Sequence, residues 1–141
     1  MAGVHFGFDN FKQLLDLNIG IADRLDENRA ESFTILYCDF STVKENIITS
    51  SLQQVLRTSD SIVNSGGDYF FVLPYTDKYG ADIVKNMFVE FFAKDLDSYM
   101  VSYPRDGEKT EILVEELADI VSATYKNDLN CLNSIIKYKY N

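Results

Sequence analysis

Four charged positions in this chain have types and spacings that can do chemistry. Arg57 and Asp60 stand three residues apart, and Asp39 and Asp68 each mark the end of an apolar run. An arginine presents a planar fork of donors to an oxyanion, while a neighbouring carboxylate accepts from donors. Two strand-end carboxylates that converge can hold a hard cation such as magnesium. Plainer readings stand beside these. An Arg–Asp pair on a surface contributes little to stability, and each aspartate can be a solvated acid at a strand end. Other chemistry is excluded by count. The single histidine, His5, lies near a terminus expected to fray, so histidine triads and multi-histidine metal sites are out. The two cysteines, Cys38 and Cys131, have a spacing that matches no zinc or redox motif. Cys38 sits in an apolar run and reads as core, and free thiols point to a reducing cytoplasm.

The elements that must position these groups follow from composition and periodicity. A chain of 141 residues with 46% apolar and 25% charged residues reads as one globular domain, spanning 1–141. At that length roughly 70% of the unfolded surface is buried on folding, enough for a core without staples. The net charge of −9 argues against non-specific binding to nucleic acid or to anionic membrane, since both need clustered Lys and Arg. It leaves room for a small anionic ligand held by a few placed cations. No signal-type start and no apolar run of membrane-spanning length is present, which predicts a cytoplasmic chain with no direct membrane insertion.

Residues 8–26 place Phe8, Phe11, Leu15, Ala22 and Leu25 at helical steps, with Leu14 and Ile21 beside them. With the following loop they form an N-terminal unit over 1–30, ahead of a core over 31–141. Residues 32–40 form an apolar, β-rich run that reads as a buried central strand. Residues 43–57 return to helical spacing through Ile48, Leu52, Val55 and Leu56. Residues 61–64 and 69–73 are strand-like, and Gly66-Gly67 between them signals a tight hairpin. Residues 77–94 form a helix whose apolar face is Val84, Met87, Phe88, Phe91 and Phe92, with Phe88, Phe91 and Phe92 as a core stripe. Residues 99–103 form a short strand, closed by the Pro104–Gly107 turn. Residues 110–126 form a helix with Leu113, Leu117, Ile120, Val121 and Thr124 inward. Residues 134–140 alternate as an edge strand, in which Lys137 and Lys139 discourage pairing and Tyr138 and Tyr140 alternate with them. The order predicts an α+β, ferredoxin-like domain with one mixed sheet and helices packed on it.

The segment RTSDSIVNSGGDYFFVLPYTD, residues 57–77, resembles the centre of the bacterial GGDEF family. Arg57, Asp60 and Gly66 reproduce the spacing of its Arg-x-x-Asp pair and signature. SYMVSYPRDG, ELADIVSATYKND and ILYCDFSTVK resemble three further blocks in the family's order, so the likeness covers nearly the whole chain. It implies a palm-type nucleotide cyclase fold with a mainly antiparallel sheet. In active members, two such domains with bound GTP and metal ions make cyclic di-GMP.

The same resemblance says what is damaged. Gly66, Gly67, Asp68, Tyr69 and Phe70 stand as a vestigial signature, with Tyr69 where active enzymes carry an acid. A phenol with a pKa near 10 is no substitute for a carboxylate on a hard metal. Asp39 and Asp68 match the family's metal ligands, which keeps magnesium as a candidate cofactor, but Ser41 replaces a second acid. Only 17 residues, 40–56, separate Asp39 from Arg57, and they include no glycine for a phosphate loop. Asn46 is the one candidate guanine reader, one place off. Lys126 matches a position that meets phosphates in the family, and it reads equally as a favourable charge in a helix's last turn. Arg57 and Asp60 match the inhibitory site for cyclic di-GMP, although Asn64 stands where a second arginine is common. The expectation is a catalytically inactive signalling module that responds to cyclic di-GMP through Arg57 and Asp60. The alternative is an interaction or homodimerisation domain without a nucleotide, pairing with itself or with other protein domains. An active cyclase ranks last.

Overall fold

The computed structural model describes residues 2–25 and 29–136. Five strands form one sheet in the order β1-β3-β4-β2-β5. They are β1 (Val4–His5), β2 (Glu31–Asp39), β3 (Ser61–Ser65), β4 (Asp68–Pro74) and β5 (Ser98–Pro104). β1 runs parallel to β3, and every other pairing is antiparallel. The helices are α1 (Phe11–Leu25), α2 (Glu45–Val55), α3 (Lys78–Phe92), α4 (Thr110–Tyr125) and the short α5 (Asn133–Ile136). The result is the mixed α+β, palm-type architecture that the sequence predicts.

Strand parity sorts the core into two layers, because successive side chains leave a strand on opposite faces. Phe33, Ile35 and Tyr37 of β2 join Phe70 and Val72 of β4 beneath α1, α4 and α5. Leu36 and Cys38 join Tyr69, Phe71 and Leu73 beneath α2 and α3. Both faces of β2 are thus covered, which explains its unbroken apolar run. Burial pushes the Cys38 thiol well above its ordinary range, as expected of an inert core residue. Where β2 must carry a hydroxyl, it is satisfied: Thr34 Oγ1 lies 2.7 Å from both Thr76 O and Ser102 Oγ.

The helices need local locks as well as burial. Asp77 caps α3, its carboxylate accepting from the Gly80 N–H at 2.8 Å. α1 is pinned by two acids: Asp16 accepts from Thr110 Oγ1 and Asp23 from the Tyr103 hydroxyl, each at 2.5 Å. Burial, then the Asp23 bond, pushes the Tyr103 phenol up to about 12.

Four expectations need correction. β1 is ordered rather than frayed, because its two residues complete the edge of β3. The predicted strand over 134–140 is helical where described. Asn133–Ile136 form α5, and Leu129, Leu132 and Ile135 step by threes into the core. The remainder of that prediction, with Lys137, Tyr138, Lys139 and Tyr140, lies outside the described residues. The α3 stripe is only partly core. Phe88 is fully buried, whereas Phe91 and Met87 are 41% and 40% exposed. In α4, Thr124 is exposed, while Val114 and Ala118 turn inward instead. The α3 stripe is read wider than the arc the core covers, and the α4 stripe is rotated toward Ile120 and Thr124, away from Val114 and Ala118. Among the described residues, no helix is long and apolar enough to cross a membrane.

Candidate functional site

The predicted site residues divide between the two ends of the sheet. At one end lie the hairpin, Asp39, Asp68 and the end of α4. At the other lie the α2–β3 turn with Arg57 and Asp60, the end of β4 and the start of α3. β4 runs seven residues between them, about 20 Å at strand rise. Lys126, in left-handed conformation at the end of α4, sits exposed at the hairpin end. It stands at the opposite end of β4 from Arg57.

At the hairpin end, Asp39 and Asp68 face each other across β2 and β4. Like charges directly opposite destabilise a sheet unless donors offset them. Here they do. Asp68 Oδ1 accepts from the Tyr37 hydroxyl at 2.7 Å and from Asn127 Nδ2 at 3.1 Å, and Asn127 also donates to the Tyr37 oxygen at 3.0 Å. Asp39 Oδ1 accepts from the Ser41 N–H at 2.8 Å. Burial first, and then the Asp68 bond, holds the Tyr37 phenol neutral far above its ordinary range. A magnesium ion needs further oxygen acceptors around it, and this arrangement supplies donors. Among the described residues, no three His, Cys, Asp or Glu side chains come together as a metal group. The pair fits the cation poorly.

Tyr69 is on the other face. Cross-strand parity sends it away from Asp68 into the α2–α3 layer, where it is 8% exposed and stacks 4.9 Å from the Phe40 ring. It also forms the floor of an open cleft of about 440 Å³, with Phe40, Ser41, Glu45, Asn64 and Gly67 around it. Among the described residues, the one charged side chain on that lining is the acidic Glu45, and no Lys or Arg lines the cleft. Asn46 is exposed in the first turn of α2 and does not line the cleft. The hairpin glycines have separate duties. Gly66 takes φ +58, the left-handed value the tight turn requires. Gly67 lies flat against the β2–α2 loop, where a Cβ would stand 2.6 Å from the Ser41 Cα, and its carbonyl accepts from the Phe40 N–H at 2.8 Å.

At the far end, Asp60 is 1% exposed. Its Oδ1 accepts from Arg57 Nη2 at 2.8 Å, and its Oδ2 from the Arg57 backbone N–H at 2.8 Å. Nη2 also reaches Pro74 O and Thr76 Oγ1, both at 3.0 Å, tying the turn to the end of β4. The N-terminal segment closes the same turn, with Gly3 N donating to Arg57 O and Val4 N to Asp60 O, each at 2.8 Å. Arg57 keeps 54% of its side chain exposed. The pair is therefore asymmetric, with a buried acid aiming a half-exposed cation.

Sequence reasoning missed Tyr37 and Asn127, which satisfy Asp68, and Thr76, which braces Arg57. Tyr37 was readable, since it shares strand parity with Asp39. Asn127 carries no local signal.

No family model matches the sequence, and no curated protein matches it. Among solved structures, the fold is similar to the Vibrio cholerae LapD S helix-GGDEF-EAL protein bound to c-di-GMP, with a TM-score of 0.53 at 13% identity. That match covers 86% of this chain and 33% of the LapD chain, so this chain spans about a third of that protein's length. At such identity the likeness is one of fold.

Proposed function

We propose that this chain is a non-catalytic GGDEF-type signalling module that takes cyclic di-GMP at Arg57, with Asp60 aiming the arginine rather than touching the ligand. One observation carries the reading: a guanidinium fixed on its inner edge by a buried carboxylate, yet half open to solvent. Fixing the side chain in advance lowers the ordering cost of binding. Its planar fork suits guanine or phosphate oxygens. The fold neighbour was solved with c-di-GMP, which supports the choice of ligand. Lys126, at the other end of the sheet, is left out of this reading. At the hairpin end, the engaged aspartates and the cation-free cleft support the absence of cyclase chemistry.

Calorimetry with cyclic di-GMP tests the reading. Micromolar affinity corresponds to about −8 kcal/mol. Arg57→Ala is expected to weaken binding by about 30-fold, or roughly 2 kcal/mol, through loss of a charge-assisted contact. A parent protein that stays unliganded at high micromolar cyclic di-GMP overturns it.

A second reading, a protein-interaction or homodimerisation module without nucleotide, rests on α3. Ile83, Met87 and Phe91 are spaced four apart on one stripe and are 47%, 40% and 41% exposed, beside Val55 of α2. A partner captured equally well with and without cyclic di-GMP, and lost on Phe91→Asp, favours this reading over the first.

A further inference from the structure

Tyr75 is held where a tyrosine is costly. It follows β4 at φ +54, in the left-handed region that favours glycine. The backbone on either side fixes that conformation: Tyr75 N donates to Ser32 O at 2.9 Å, and Thr76 O accepts from Thr34 Oγ1 at 2.7 Å. Burial does not repay the strain, because the side chain is 57% exposed. Strained residues of this kind cluster at ligand clamps and active sites.

The surroundings give the ring a use. The Arg29 guanidinium carbon lies 5.4 Å from the Tyr75 ring centroid, in cation–π range. Both residues border an open cleft of about 480 Å³, together with Glu31, Thr76, Asp77 and Gly80. Thr76 is the residue whose hydroxyl accepts from Arg57, so the cleft adjoins the arginine. Two carboxylates stand on its rim. One oxygen of each is engaged by the start of α3: Glu31 Oε1 accepts from Lys78 N at 3.1 Å, and Asp77 Oδ1 from Gly80 N at 2.8 Å. Each carboxylate has a second oxygen able to accept.

We propose that Tyr75, backed by Arg29, is the stacking platform for a guanine base in this cleft. The proposal rests on the reading that Arg57 takes cyclic di-GMP. It adds the residue that grips the base and the reason for choosing guanine. A planar base stacks on an exposed aromatic ring without regard to sequence, so Tyr75 supplies grip. Guanine presents adjacent N–H and NH₂ donors along one edge, which carboxylates accept, whereas adenine offers only its amino group there. The acids that repel a phosphate thus favour guanine once Arg57 has met the phosphate or the O6 side.

Calorimetric titration of the whole chain with cyclic di-GMP, GMP and AMP separates the outcomes. Tyr75→Asn keeps a residue tolerant of the left-handed conformation but removes the ring. It is expected to weaken cyclic di-GMP by about tenfold or more, while the unliganded melting temperature stays level or rises. Tyr75→Phe is expected to bind within about twofold of the parent, because the stacking surface is kept. GMP is expected to bind more tightly than AMP. If Arg57→Ala weakens binding and Tyr75→Asn does not, the platform is overturned and the Arg57 reading stands. If GMP binds in a Tyr75-dependent way and cyclic di-GMP does not, the platform stands and the choice of dinucleotide falls. If the parent binds neither, both fall.

Discussion

Replacing Asp60 with asparagine tests whether its carboxylate is a ligand group or an internal brace. Both oxygens of Asp60 face donors, Arg57 Nη2 on one and the Arg57 backbone N–H on the other, each at 2.8 Å. An asparagine offers one acceptor and turns an NH₂ group toward the second donor. One hydrogen bond to a charged partner is lost, about 1.5–3 kcal/mol, and a donor–donor approach is created at a site that is 1% exposed. Arg57 is half open and can turn to water, so the lower half of that range applies, about 2 kcal/mol. For a domain of this size that corresponds to a melting temperature roughly 6–8 °C lower. Urea unfolding is the direct assay: the midpoint should fall while the slope stays constant. Asp119→Asn, at an exposed position of α4, serves as the control, with a change within about 0.5 kcal/mol. If Asp60→Asn is as silent as the control while cyclic di-GMP binding is lost, Asp60 is a ligand contact and the brace argument is wrong.

Tyr69→Glu places an acid at the fourth position of the GGDEF-like hairpin and is expected to be harmful. It buries a carboxylate against Phe40 on the face away from Asp68, costing about 3 kcal/mol or more, and chromatography after incubation with GTP and magnesium should show no cyclic di-GMP. Phe88→Ala removes a fully buried ring packed on Phe40, Phe71 and Phe92, and should cost about 3–5 kcal/mol by urea unfolding. Alkali should also destabilise the fold. The Tyr103 phenol is raised from 10.0 to about 12, so an unfolded chain ionises first and stability falls as pH climbs from 10 through 12. Denaturant midpoints at about pH 9 and about pH 11 check this, and equal midpoints contradict it.

Most of the fold was legible because it rests on periodicity. The apolar runs of β2 and β4 and the helical stripes of α2 and α4 fall within a few residues of their sequence boundaries. The misses have physical reasons. β1 contributes two residues, too few for an alternation to register. The C-terminal segment presents alternating Lys and Tyr, which hid the three-residue steps of Leu129, Leu132 and Ile135 just before it. Of the candidate site, the positions of Arg57 and Asp60 were visible and their inequality was not. Sequence spacing says that two residues are near each other; it does not say which of them the core swallows. Tyr75 was unreadable for a similar reason, since a backbone angle leaves no trace in residue type when the residue is the wrong one for the angle.

The close seating of Gly67 against Ser41 bears on how mutational data for such chains are interpreted. A methyl group there collides with main-chain atoms of the neighbouring loop, and those atoms have no side-chain rotamer by which to retreat. Any substitution at Gly67 therefore moves the loop leading into α2 and, with it, the Phe40 ring that packs on Tyr69, Phe71, Phe88 and Phe92. Loss of function in a screen at this position would report a displaced scaffold, not a lost catalyst. By the same logic, selection for a stable domain is sufficient to hold that glycine in place, whatever the chain does.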